Sequence, residues 1–427
     1  MRVPPAGTFR DSLPDPHPDP HFMAPVVEVA GYRVELAGPS DDPEIRALLR
    51  EPMGGGIRIS LEREPDARIA GAMEGDRHVT MVARDRDGRI AAMGSRSVRT
   101  VWLDGAPVRL GYIGQLRRRP EASRAAGPLL RAGFQVLGAT RQPGELPFDL
   151  TSIAAENLPA RRLLEGGVRG VPPYLPLAEV VTCLVPTGGR MRRRVGGASG
   201  AGSSSDGATV FRPAKALAEV ADCLLRMLSR DQLAPHWTEA DLASPTRSRG
   251  LAVGDFLVAE GAGGEVCGCA AVWDQRAFKQ SRVQGYPPAL GILRPLLNPF
   301  RVLAGEARLP PPGAVLRMGF LSHVAVAGDD PDVFLSLVQE ARRVARARGL
   351  DWLATGFVRG HPLLEALLGA TRARTYETVL YALPWTPDAR LPALPALPAL
   401  PALPALPALP AAPTLDGRRL HVEVATL

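Results

Sequence analysis

A chain of 427 residues, 45% of them apolar and 22% charged, is long enough for two globular domains, and no apolar run reaches the roughly 18–20 residues of a membrane span. The net charge of +7 is carried almost wholly by arginine, Lys215 and Lys279 being the only lysines, and no aromatic–basic interleaving marks a nucleic-acid module, so neither nucleic acid nor membrane is an expected partner. Cys183, Cys223, Cys267 and Cys269 have neither disulfide-framework nor zinc spacing, which predicts buried thiols in a reducing, cytoplasmic protein with no metal.

In chain order, residues 1–30 are rich in Pro and Asp and carry His17 and His21, the composition of a disordered tail. Tyr32–Leu36 reads as a short strand, and a helix is expected behind Ser40-Asp41-Asp42, with Pro43 early in it. Met53-Gly54-Gly55-Gly56 is a turn; no Gly-Lys-Ser/Thr follows, so it is a substrate-side loop at most. Val79–Ala83 and Ile90–Ser95 flank Asp85-Arg86-Asp87-Gly88, a hairpin signal, and a second hairpin turns at Asp104-Gly105. Val108–Leu116 is apolar without helical period, a buried strand ended by Pro120. A basic, small-residue turn, Arg124-Ala125-Ala126-Gly127, then leads into Leu129, Leu130, Gly133, Phe134 and Leu137 at helical spacing. Strand, small-residue turn and helix form an arrangement that can take a phosphate on the first helical N–H groups, with Arg117, Arg118 and Arg119 adding charge. Pro147–Ile153 is a further strand, and a strand pair is expected near Ala178–Leu184.

Arg124-x-x-Gly127 resembles the pyrophosphate loop of the GNAT acetyltransferase superfamily, Arg/Gln-x-x-Gly-x-Gly/Ala. Asn157-x-x-Ala160-x-x-Leu163-x-Glu165 resembles its later motif, Asn-x-x-Ala-x-x-Leu-Tyr-Glu, and Leu116-x-x-x-Pro120 matches the strand end before the loop. The likeness covers about Tyr32 to Pro186. It implies an α/β (α+β) fold and an acyl-CoA-dependent N-acetyltransferase using acetyl-CoA on a small-molecule or peptide amine. It also implies cofactor contacts from Leu116, Arg117, Arg118, Arg124, Ala125, Ala126, Gly127, Pro128 and Asn157. Two positions depart from the pattern: Leu129 stands for the loop's last small residue, predicting a crowded loop, and Leu164 stands where the family often has its tyrosine acid.

Residues 187–208 (TGGRMRRRVGGASGAGSSSDGA) read as a linker. Beyond it, Ala214–Leu228 has helical period and Phe256–Ala259 with Val266–Trp273 form a hairpin. Residues 274–313 make a helical insertion, Ala314–Val326 a strand, Asp332–Arg348 a helix with Asp332 as N-cap, and Asp351–Phe357 and Thr375–Leu383 strands. This order again resembles the GNAT fold. The expected architecture is therefore two tandem GNAT-like domains, 31–186 and 209–385, each a central mixed, mostly antiparallel sheet flanked by helices. Asp329, Asp330 and Asp332 would repel a pyrophosphate, so the second domain is expected to be degenerate and to bind no CoA. Residues 386–413 hold a Leu-Pro-Ala repeat, a polyproline II spacer, and 414–427 end in an alternating short strand.

Acyl transfer to an amine needs an acid for the leaving thiolate and a base for the amine. Glu156 is the candidate base beside Asn157, Tyr112 and Tyr174 are the nearby phenols, and Gln115 is able to orient a water but not to titrate. The other reading is a catalytically silent acyl-CoA-binding or scaffold protein.

Overall fold

Strand periodicity, hairpin turns and helix caps along the first half produce a meander that ends in a crossover. The computed structural model describes residues 25–53, 56–192, 209–303, 307–386 and 418–426. Residues 1–24 of the predicted N-terminal tail, the glycines Gly54 and Gly55, most of the linker and the Leu-Pro-Ala repeat lie outside these residues; the end of that tail, expected to be disordered, instead forms a strand, Val27–Val29, paired with Tyr32–Val34. The first half runs β1 (Val27–Val29), β2 (Tyr32–Leu36), α1 (Asp42–Leu49), β3 (Arg58–Glu62), α2 (Ala67–Glu74), β4 (Arg77–Arg84), β5 (Ile90–Leu103) and β6 (Ala106–Arg118). It continues with α3 (Ala126–Ala139), β7 (Glu145–Ala154), α4 (Leu158–Glu165) and β8 (Leu175–Pro186), the last a single strand where a pair was expected. The β4–β5 turn closes because Asp85 accepts from the Asp87 and Arg89 amides, while Gly88 takes φ +80°.

The second half repeats the theme: β9 (Val210–Pro213), α5 (Leu217–Leu228), α6 (Glu239–Ala243), β10 (Phe256–Glu260), β11 (Val266–Trp273), β12 (Gln280–Gly285), α7 (Pro288–Leu303), β13 (Met318–Val326), α8 (Pro331–Ala347), β14 (Trp352–Val358), α9 (Pro362–Ala370) and β15 (Arg374–Pro384). Asp330, not Asp332, caps α8: its carboxylate accepts from the Asp332 and Val333 amides, and Pro331 occupies the start of the helix where its missing N–H costs nothing.

The two halves build one sheet. Among the described residues its thirteen strands run β1-β2-β4-β5-β6-β7-β15-β8-β14-β13-β11-β10-β9, and β12 pairs with β3 in a separate ribbon. The last strand of each half lies inside the other's territory: β15 pairs with β7 and β8, and β8 pairs with β14. Two parallel pairs, β6 with β7 and β13 with β14, carry the crossover helices α3 and α8. Each pair starts joined and then parts, β6/β7 after Tyr112↔Leu150 and β13/β14 after Phe320↔Ala354.

A bulge turns each of the parting strands. Gln115 and Leu116 together oppose Gly94, and His323 and Val324 together oppose Ala270; Gln115 and His323 both have φ +53°. Apolar cores pack α3 against the first half and α8 and α9 against the second. Residues 418–426 form no strand: Leu420 makes a single bridge to Gln232, and Val424–Thr426 make a 3-10 turn.

Candidate active site

The first splay is held at its root by a buried clamp. Arg96 on β5 donates to Asp149 on β7 at 2.6 and 2.8 Å and to Glu145 at 2.7 Å, reaching across β6 at Gly111. A Cβ on Gly111 would lie 2.1 Å from Asp149 Oδ1 and 2.5 Å from Arg96 Nη2, so only glycine lets the clamp pass. Just above it, where the strands part, the Tyr112 hydroxyl and Ser152 Oγ are 2.7 Å apart across the opening. Burial raises the Tyr112 phenol above its ordinary value, which favours the protonated, donating form.

The mouth of this splay is the start of α3. In its first turn the Ala126 amide already donates to Ser123 O and Pro128 has no N–H. Nothing lies within 4 Å of a Cβ built on Gly127. Leu129, expected to crowd this loop, is buried on the core side of α3 with Phe134 and Leu137 and leaves the opening clear. Arg118 donates to Ser123 Oγ, and Arg124 is exposed with no ion-pair partner among the described residues. Arg117 has a buried Nε without a partner, and burial lowers its pKa; the Tyr376 hydroxyl side lies near enough to influence it.

Glu156 and Asn157 are exposed at the end of β7. The Asn157 side chain caps α4 by accepting from the Ala160 amide at 3.3 Å. Tyr376 on β15 stands close by, its phenol raised first by burial and then by the Glu156 charge. Leu164 and Tyr174 pack in the core with α3, Tyr174 against Phe134 and Tyr381.

A polar cluster that sequence reasoning missed covers the face of β5 and β6 opposite α3. Glu74, at the end of α2, bonds Arg63, lies 3.2 Å from Lys279 Nζ and accepts from Ser97 Oγ at 3.3 Å; Ser97 in turn lies 2.8 Å from His78 Nδ1. Burial pushes the Glu74 carboxyl up, but the Arg63 and Lys279 charges outweigh it and hold the group at about 2. Burial lowers His78 to about 4 and Lys279 to about 8. Arg63 also faces the amide of the bulge residue Gln115. Arg99, lowered by burial to about 10, stands over the Tyr112 ring at 5.7 Å and bonds Thr426 Oγ1. Nothing local foretells this cluster, because Lys279 joins it from more than 200 residues away. Among the described residues no group of three or more His, Cys, Asp or Glu side chains is arranged to hold a metal.

The second splay is filled by the chain itself. Beyond the last β13/β14 pair, the His323 amide donates to Glu423 Oε2 at 2.8 Å, and Val424 lies against Gly356, where an added Cβ would come within 2.3 Å of it. Arg419 pairs with Asp231 at 3.0 Å and with Asp329 at 2.6 Å, so one of the three carboxylates expected to repel phosphate is neutralised internally.

A parallel pair that parts around a bulge, with a crossover helix aimed at the opening, is the arrangement of the GNAT fold, here within a mixed sheet shared by two halves. Among solved structures, Saccharomyces cerevisiae N-myristoyltransferase with bound myristoyl-CoA aligns with a TM-score of 0.52 and 14% identity over 84% of this chain and 80% of that one. A second structure of that enzyme gives 0.52 and 13% over 87% of each chain. The GCN5-related glucosamine N-acetyltransferase region of a fungal multi-domain GH3 beta-N-acetylglucosaminidase gives 0.50 and 14%, over 83% of this chain and 38% of that one. No family model and no curated protein sequence matches the chain.

Proposed function

We propose that the protein is an acyl-CoA-dependent N-acyltransferase that transfers acetyl from acetyl-CoA to a primary amine by direct attack on the thioester. The observation that carries this is the first splay, with the Tyr112–Ser152 pair at its apex and Gly127 at its mouth. Phosphates sit at the start of α3 near Arg118 and Arg124, and the pantetheine arm lies along Leu116–Arg118 with Arg117 beside it. Tyr112, kept protonated by burial, donates to the departing sulfur. Glu156 is the carboxylate at the mouth that accepts the amine proton, directly or through water. The amine enters from the face lined by Glu74, Arg63 and Lys279, with Gln115 oriented by Arg63.

The second half binds no acyl-CoA, because residues 423–426 already contact both parted strands. The domain limits at 31–186 and 209–385 mark the two repeats of element order, although the sheet runs through both.

Thiol release from acetyl-CoA, followed over a panel of amines and short peptides, tests the reading. Turnover with at least one amine is expected, and Tyr112→Phe should lower kcat about 100-fold or more while acetyl-CoA still binds. The burial of Leu164, which leaves the family's usual acid position aliphatic, favours a second reading as a silent acyl-CoA binder. Tight binding with no turnover over the whole panel would select it.

A further inference from the structure

Helix α7 is amphipathic in the wrong sense for a helix covering its own protein. Its polar stripe, Arg294, Asn298 and Arg301, at helical spacing, is turned inward. Arg294 and Asn298 donate to Leu309 O at 3.3 and 3.1 Å, the Leu309 amide donates back to Asn298 Oδ1 at 2.8 Å, and Arg301 donates to Ala307 O at 2.9 Å. The opposite face, Ile292, Leu293, Leu296, Leu297, Phe300 and Leu303, spans an arc of roughly 140° at 3.6 residues per turn and points to solvent. Ile292 is 76% exposed, Leu296 66%, Phe300 72% and Leu303 84%, and no residue of the helix is buried. Hydrogen bonds on the polar side fix this orientation, so rolling the helix to hide its leucines would strand Asn298 and both guanidinium groups. A continuous apolar face of this size on a water-exposed helix marks a docking surface.

Charge chooses the occupant. Flanking α7, Arg308 and Arg58 are exposed and make no ion pair among the described residues, whereas Lys279, Arg282 and Arg317 are paired with Glu74, Glu62 and Asp351. Across the ribbon, Arg58 of β3 stands opposite Gly285 at the foot of α7. Two copies meeting face to face would bring these cationic margins together. An anionic lipid surface takes both features at once: the apolar face enters the acyl boundary and Arg58 and Arg308 meet headgroup phosphates.

We propose that α7 docks the protein on an anionic membrane surface, lying in the interface without crossing it; among the described residues no helix is long and apolar enough to span. This departs from the sequence-based expectation of no membrane partner. The β3–β12 ribbon ties the anchor to the candidate site: β12 follows directly from Lys279, beside Glu74, and ends just before α7. Docking would therefore hold the amine-binding face near the lipid surface.

The test is co-sedimentation of the full chain with vesicles of phosphatidylcholine alone and of phosphatidylcholine with 30% phosphatidylglycerol, beside Ile292→Gln/Phe300→Gln, with particle mass measured by light scattering. The proposal expects binding to the anionic vesicles at least tenfold stronger than to neutral ones, and at least tenfold weaker for the double variant. The variant should keep the wild-type melting temperature, since both side chains are exposed. Equal binding to both vesicle types, or no binding to either, overturns it. So does a concentration-dependent dimer abolished by the double variant without vesicle binding, which would assign the face to a second copy.

Discussion

Gly127→Glu should move stability and ligand affinity in opposite directions. The added side chain meets nothing within 4 Å of its Cβ, so the fold accepts it. Replacing glycine inside α3 gains about 0.5–1 kcal/mol of helix propensity, and an acid in the first turn gains a few tenths more from the helix dipole. With an unfolding entropy of about 2 cal/mol/K per residue, a gain of about 1 kcal/mol lifts the midpoint by only about 1 °C. A carboxylate about 5 Å from a bound phosphate costs about 1 kcal/mol at the dielectric of water and about 3 kcal/mol at an effective value near 20. Acetyl-CoA affinity should therefore fall about 5- to 150-fold. Differential scanning fluorimetry and isothermal calorimetry read the two quantities on one preparation. A folded variant whose affinity stays within twofold of wild type would refute the placement of phosphate at this helix start.

Other substitutions probe the supports of the site. Gly111→Ala should cost about 3 kcal/mol or more in a denaturant titration, because its Cβ collides with Asp149 and Arg96 and opens a buried ion pair. Glu74→Gln leaves the buried Arg63 and Lys279 cations without their counter-charge and should cost about 3–5 kcal/mol, whereas Lys279→Met, which leaves the Arg63–Glu74 pair intact, should cost less than half of that. The Glu74 carboxyl is held at about 2 against an ordinary 4.5, so its stabilisation is complete above pH 4.5 and disappears as pH falls towards 2. Acid titration of wild type and Glu74→Gln should converge over that window by about 3 kcal/mol; parallel curves would contradict the assigned charge state.

Local elements were largely legible. The strands flanking Asp85–Gly88, the crossover helix after Pro120 and the start of α1 behind Ser40 and Asp41 all follow from short-range chemistry that a sequence displays. What was hidden depends on distant partners. The exchange of β8 and β15 between the halves has no local signal, since either strand reads the same in either place. The β3–β12 ribbon joins residues about 220 positions apart, and α2 was overlooked with it. Gln115 and His323 reach φ +53° without glycine, so their bulges leave no trace in composition. Leu129 shows the limit of motif reading: the pattern predicted crowding, but helical phase turns the side chain into the core. Asn157 was legible as a motif residue, while its visible work is a helix cap.

The proposed function puts one acyl-CoA site on each chain, in the first splay, because Glu423 and Val424 already contact the parted strands of the second. Calorimetric titration of acetyl-CoA into the full chain tests it most directly. A stoichiometry of one, lost in Gly127→Glu, is expected. A stoichiometry of two, or binding that survives unchanged in that variant, would contradict it.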